Sequence, residues 1–114
     1  MSLIKPVFWL SVLALAVASL VPGELLPEQS FNVWDKAQHV AGFAWLGLLG
    51  LFSHPRHPSR LALSLLAFGA FIELAQTATG WRFGEWLDLL ADGVGILLGM
   101  AAWTLVRAAR PPTP

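Results

Sequence analysis

The sequence predicts an all-α fold: a polytopic membrane bundle of four transmembrane helices with both termini cytoplasmic. Three observations carry this. Only 12% of the 114 residues are charged while 56% are hydrophobic, where a soluble domain averages about 25% charged. The apolar residues gather in four stretches, each near the roughly 20 residues that cross about 30 Å of hydrocarbon. Lysines and arginines divide unevenly, with Lys5, Arg56, Arg60, Arg107 and Arg110 on one side of the helices and Lys36 and Arg82 on the other. The richer side is the cytoplasmic one.

The first helix is expected from about Val7 to Val21, ended by the breaker pair Pro22-Gly23. The same stretch also has the layout of a signal peptide: Lys5, an apolar run from Val7 to Leu15, and Ala16-Val17-Ala18 as a cleavage pattern. Leu20 and Val21 carry the apolar run past that cut, which favours an uncleaved span. Residues Pro22 to Trp34 are rich in turn formers and acids and read as an external connection, anchored at the interface by Phe31 and Trp34. The second helix is expected from about Asp35, as its N-cap or first turn, to Phe52, where Ser53-His54-Pro55 closes it. A basic loop from His54 to Arg60 leads into a third helix over about 60–79, stopped by Gly80. His54 and His57 in that loop read as interfacial residues. After a turn with Trp81, Arg82 and Glu85, the fourth helix runs from about Trp86 to Val106, where Arg107, Arg110 and the prolines end it. Residues 1–114 read as a single transmembrane domain.

Composition also excludes functions. A formal net charge of +0 leaves no basic stripe to displace counterions from phosphates, so nucleic acid is not expected as a partner. With no cysteine there is no disulfide, thiolate ligand or cysteine nucleophile.

The orientation converts scattered polar residues into a layer. Asp35 and His39 open the second helix, Glu73 and Gln76 lie in the last turns of the third, and Asp88 and Asp92 open the fourth. At about 1.5 Å per residue, His39, Glu73 and Asp92 each lie about 6 to 9 Å below the outer helix ends. Spacing of three or four puts such residues on one helical face. The faces continue to Gly42 and Leu46, to Gly69 and Gly80, and to Gly95 and Gly99, so three helices share one plan of polar residues above and small ones below. Because a charge costs roughly 2.5 to 3.5 kcal/mol at the bilayer centre, these faces are expected to meet inside the bundle. The expected result is an outward-opening pocket lined by Asp35, His39, Glu73, Gln76, Asp88 and Asp92, with Lys36 and Arg82 at its rim. His39 and Glu73 are the candidate general acid/base pair. His39, Asp88 and Asp92 are the candidate ligands for a divalent cation. The first helix has no ionisable residue between Val7 and Val21 and is expected to pack as scaffold through Ala14 and Ala18.

Three blocks resemble the VanZ-like family of small integral membrane proteins, named for an accessory protein of glycopeptide-antibiotic resistance. They are Asp35-Lys36-x-x-His39, then Glu73-x-x-Gln76, then Arg82 followed by Asp88-Leu89-Leu90-Ala91-Asp92-Gly93-x-Gly95-x-x-x-Gly99. Together they span residues 35–99, more than half of the chain. The chain departs from the family pattern at Val40, where an aromatic is usual, at Phe43, often a tyrosine, and at Asp92, usually an asparagine. The resemblance implies a bacterial cell-envelope protein of the inner membrane, in a family whose extreme members lower susceptibility to teicoplanin. It brings no chemical activity with it.

The functional expectation is therefore a pocket that binds or modifies a lipid-linked envelope substrate, or binds a glycopeptide. The alternative is a non-catalytic accessory protein whose polar residues only tie the helices together. A small transporter fits less well, because four-helix exporters of this size carry an acid in the middle of the first helix.

Overall fold

The computed structural model describes residues 3–21, 33–80 and 86–110, with the side chains of residues 33–35 outside that description. These residues form four α-helices and no strand: α1 (Ile4–Leu20), α2 (Val33–Ser53), α3 (Pro58–Thr79) and α4 (Trp86–Ala109). Phe31, Trp81, Arg82 and Glu85, and the side chains of Trp34 and Asp35, lie outside the described residues.

The helix ends follow from local chemistry. α1 starts three residues earlier than expected and takes in Pro6, which its first turn tolerates because that N–H would have no intrahelical acceptor. α3 starts at Pro58 for the same reason. It ends at Gly80, whose φ of 79° is the left-handed conformation that glycine adopts without a Cβ clash. α4 passes Val106 and keeps Arg107 in its last turn, where a cation complements the unsatisfied carbonyls, so Arg107 supports the end of this helix rather than stopping it.

Burial is inverted relative to a water-soluble bundle. Leu74 is 72% exposed and Leu63, Leu97 and Leu105 are similarly uncovered, while Gln76, Asp88 and Asp92 are buried, Asp92 completely. Such a distribution suits a surface bathed in hydrocarbon. α3 and α4 are each long and apolar enough to cross a membrane, and α1 is an apolar helix of 17 residues. α2 has 21 residues, but Lys36, Gln38 and His39 in its opening turns lower its mean hydropathy. Two of these three face protein, Lys36 in part and His39 almost wholly.

Between such helices the hydrophobic effect contributes little, so close backbone fit has to hold them together. α2 and α4 supply it. A Cβ on Gly95 would strike the carbonyl oxygen of Val40 and come within 3.0 Å of Ala44 N; on Gly99 it would lie 2.5 Å from Ala44 O and 2.9 Å from Leu48 N. Gly47 answers from α2, its Cβ position 3.5 Å from Gly99 Cα. Around this seam Phe43, Leu46, Leu65, Ile72, Ile96 and Phe8 form the core.

α1 packs through Phe8 and Ser19, which are buried, and through Leu15, whose side chain lies 3.1 Å from the Cβ position of Gly42. Ala14 and Ala18 are exposed, which corrects the expectation that they form the packing face. The face that can meet α2 and α3 is set by the bulk of Phe8 and Leu15, seven residues apart and so nearly in line. Gly42 accordingly faces α1 rather than the polar layer. Among the described residues, two side-chain hydrogen bonds fasten α1. The Trp45 indole N–H donates to Ser11 Oγ at 3.0 Å, and Gln76 Nε2 donates to the Ser19 carbonyl at 2.8 Å.

The seam makes a direct prediction. In detergent micelles, Gly95→Ala with Gly99→Ala will destabilise the bundle by about 1 to 3 kcal/mol, the cost of overpacking against backbone that cannot yield. Gly93→Ala, whose nearest neighbour would be Leu66 Cδ1 at 3.9 Å, will stay within about 0.5 kcal/mol of the parent. Unfolding followed by circular dichroism reads both.

Candidate functional site

The α2–α4 seam determines which side chains meet above it. Immediately before Val40, α2 carries His39; one turn before Gly95, α4 carries Asp92. Their backbones are so close that His39 Nδ1 and Asp92 Oδ1 lie 2.7 Å apart, both groups buried. An ionised Asp92 accepts the Nδ1–H, which fixes the ring and turns Nε2 toward Asp88 Oδ2, 3.7 Å away. Asp88 is itself held by Lys36 Nζ at 2.5 Å, a contact in which the lysine side chain stays 28% exposed and the aspartate almost none. Lys36 and His39 are three residues apart, and Asp88 and Asp92 four, so each pair presents one helical face to the other.

α3 closes the third side. The position of a Cβ on Gly69 is 2.5 Å from Asp92 Oδ2, so the Asp92 carboxylate occupies the space a larger residue would fill. One turn further along α3, Glu73 brings its carboxylate to the same place. His39, Glu73 and Asp92 each offer a ligand atom, and the three atoms lie within 4.8 Å of one another. Glu73 is half-buried where His39 and Asp92 are buried, so Glu73 and Lys36 form the accessible edge of the group.

Among the described side chains, the carboxylates of Glu73, Asp88 and Asp92 gather with one ammonium, Lys36, and one imidazole, His39. Imidazole and carboxylate are donor types that suit a proton or a divalent cation.

The structure thus brings together Lys36, His39, Glu73, Asp88 and Asp92 from three helices. Two expectations change in detail. The residues whose ligand atoms converge are His39, Glu73 and Asp92, while Asp88, expected among the metal ligands, is engaged by Lys36. The layer is also packed rather than open where the described residues enclose it, since His39, Gln76, Asp88 and Asp92 are all buried. Gln76 turns its amide N–H toward α1, and its Oε1 is buried without a hydrogen-bond partner among the described residues. Arg82 and the side chain of Asp35 lie outside the described residues. Ser19 was not singled out from sequence. Its signal was position, a last-turn carbonyl that no helical N–H can satisfy.

The profile of the family described as VanZ/LLP1 matches residues 5–107, from the first turn of α1 to the last turn of α4. No curated protein and no solved structure matches the chain.

Removing one partner of a buried pair strands the other, so Asp92→Ala will cost about 3 to 5 kcal/mol of stability in micelles. Asp92→Asn keeps a hydrogen-bonding group against His39 Nδ1 and will cost less than half as much. Gly69→Ala, with Asp92 intact, will displace the carboxylate and shift the His39 imidazole resonances in ¹⁵N NMR.

Proposed function

The chain belongs to the VanZ/LLP1 family, and on that premise we propose that it is a bacterial cell-envelope protein of the inner membrane that binds a lipid-linked ligand at its outer leaflet and exchanges protons with it. One observation carries the proposal: an imidazole and two carboxylates from three different helices share the bundle interior, with ligand atoms within 4.8 Å of one another. Ionisable groups inside membrane segments are costly, and they persist where they serve a site. In this reading His39, steered by Asp92, is the general base or acid, Glu73 is its partner at the accessible edge, and Lys36 and Arg82 receive an anionic headgroup. Gln76, with its open Oε1, and Asp35 and Asp88 complete the binding surface.

All four helices cross the bilayer in this reading and both termini are cytoplasmic, with the polar opening of α2 shielded by α3 and α4. Any change in teicoplanin susceptibility would originate at the same cluster. Two observations favour a second reading, a non-catalytic accessory protein: Lys36–Asp88 and Gln76–Ser19 tie helix ends together without involving a ligand. A divalent cation held by His39, Glu73 and Asp92 is a variant of the first reading.

Cells expressing the parent chain will show an altered envelope-lipid profile that His39→Ala and Glu73→Gln each reduce at least tenfold at equal protein level. Variants that act like the parent would leave the accessory reading. If the cation is required, elemental analysis of purified protein will find about one divalent metal per chain, lost in Glu73→Gln, and chelation will abolish the effect.

A further inference from the structure

The end of the bundle remote from the polar layer holds a second arrangement of charge. Lys5 at the start of α1, Arg56 in the turn between α2 and α3, and Arg60 in the first turns of α3 surround a cavity of about 620 Å³, with His54, His57 and Ser64 completing much of the wall. Among the described residues, no carboxylate lines it. Three cations from separate segments therefore converge without an anion among the lining residues, an arrangement that favours a ligand bearing negative charge. Arg107 and Arg110 behave differently, each lying over an aromatic ring, Trp103 at 4.4 Å and Phe52 at 5.2 Å.

The cavity does not end at the cations. It shares His54, Leu61 and Ser64 with a crevice of about 270 Å³ between α1 and α3, whose remaining walls are Phe8, Trp9, Val12, Leu65 and Phe68. Along α3 the walls run from Leu61 to Phe68, about 10 Å of helix, so an apolar slot leads from the basic mouth toward the bundle centre. His54 stands at the junction. Its ring is held edge-on by Phe8 and Trp9, and its buried Nδ1 has no hydrogen-bond partner among the described residues.

We propose that this is a binding site for an anionic phospholipid, with the phosphate among Lys5, Arg56 and Arg60 and an acyl chain in the crevice between α1 and α3. Charge complementarity selects the class, because a zwitterionic headgroup would bring its own cation toward three others. The apolar slot selects a lipid over a free anion, which would leave it unused. Basic recesses between membrane helices hold anionic headgroups in this manner, at about 1 kcal/mol per lysine or arginine near the surface, or about fivefold in affinity. Three cations then give a preference on the order of a hundredfold.

Native mass spectrometry of the full chain in detergent micelles, titrated with dioctanoyl phosphatidylglycerol or dioctanoyl phosphatidylcholine, tests the site. The expected result is phosphatidylglycerol binding on the order of a hundredfold tighter than phosphatidylcholine, reduced about 25-fold by Arg56→Gln with Arg60→Gln. Arg107→Gln with Arg110→Gln, an equal change in charge at the same end, will leave it within about twofold. Arg56 and Arg60 are exposed, and the comparison of the two lipids on the unaltered chain needs no variant. Equal affinity for the two lipids would overturn the proposal, and an equal loss in both double variants would reduce it to diffuse surface charge. Displacement of the lipid by an equal concentration of inorganic phosphate would make the site one for the free anion and would equally overturn it.

Discussion

Close contact between α2 and α4 is the constraint on which the rest of this bundle depends. In hydrocarbon, apolar side chains gain little by leaving lipid for protein, so helices associate where backbones can approach and van der Waals contact is dense. Gly95 and Gly99 provide that approach against the carbonyls of Val40 and Ala44, with Gly47 opposite. Once the two backbones touch there, the residues a turn above have no freedom to part. The pairing of His39 with Asp92 is a consequence of the glycine seam.

The seam in turn explains why ionisable groups are tolerated. A carboxylate facing acyl chains would be left without compensation, but Asp92 faces an imidazole on one side and the bare backbone of Gly69 on another. Lys36 compensates Asp88 in the same way while keeping contact with solvent or headgroups. Leucines cover the outside. The bundle therefore buries its polarity and exposes its hydrophobicity, as a hydrocarbon solvent requires.

Charge also divides the molecule lengthwise. The described carboxylates gather above the seam with Lys36 and His39, whereas Lys5, Arg56, Arg60, Arg107 and Arg110 stand toward the other end. A single chain thus offers an acid-rich interior toward one end of the bundle and a basic recess toward the other. α1 belongs to both, since Phe8 walls the basic recess and the Ser19 carbonyl receives Gln76 from the polar layer.

Much of this was legible from residue order alone. Four helices, their ends at Gly80 and Trp86, and the polar-above-glycine plan on the third and fourth helices follow from hydropathy, breakers and the 3.6-residue period, all local properties. The packing face of α1 was not legible, because that helix is apolar all round and periodicity marks no side; the choice of Phe8 and Leu15 over Ala14 and Ala18 was made by the neighbours. The shared layer of His39, Glu73 and Asp92 was legible from depth, but the engagement of Asp88 by Lys36 was not. Spacing places residues on a face, but only the distance and rotation between helices decide which side chains touch, and here the glycine seam set both. The sequence by itself determined the elements and the common level of His39, Glu73 and Asp92, because both are local properties of hydropathy and helical rise; the tertiary structure decided the partners at that level.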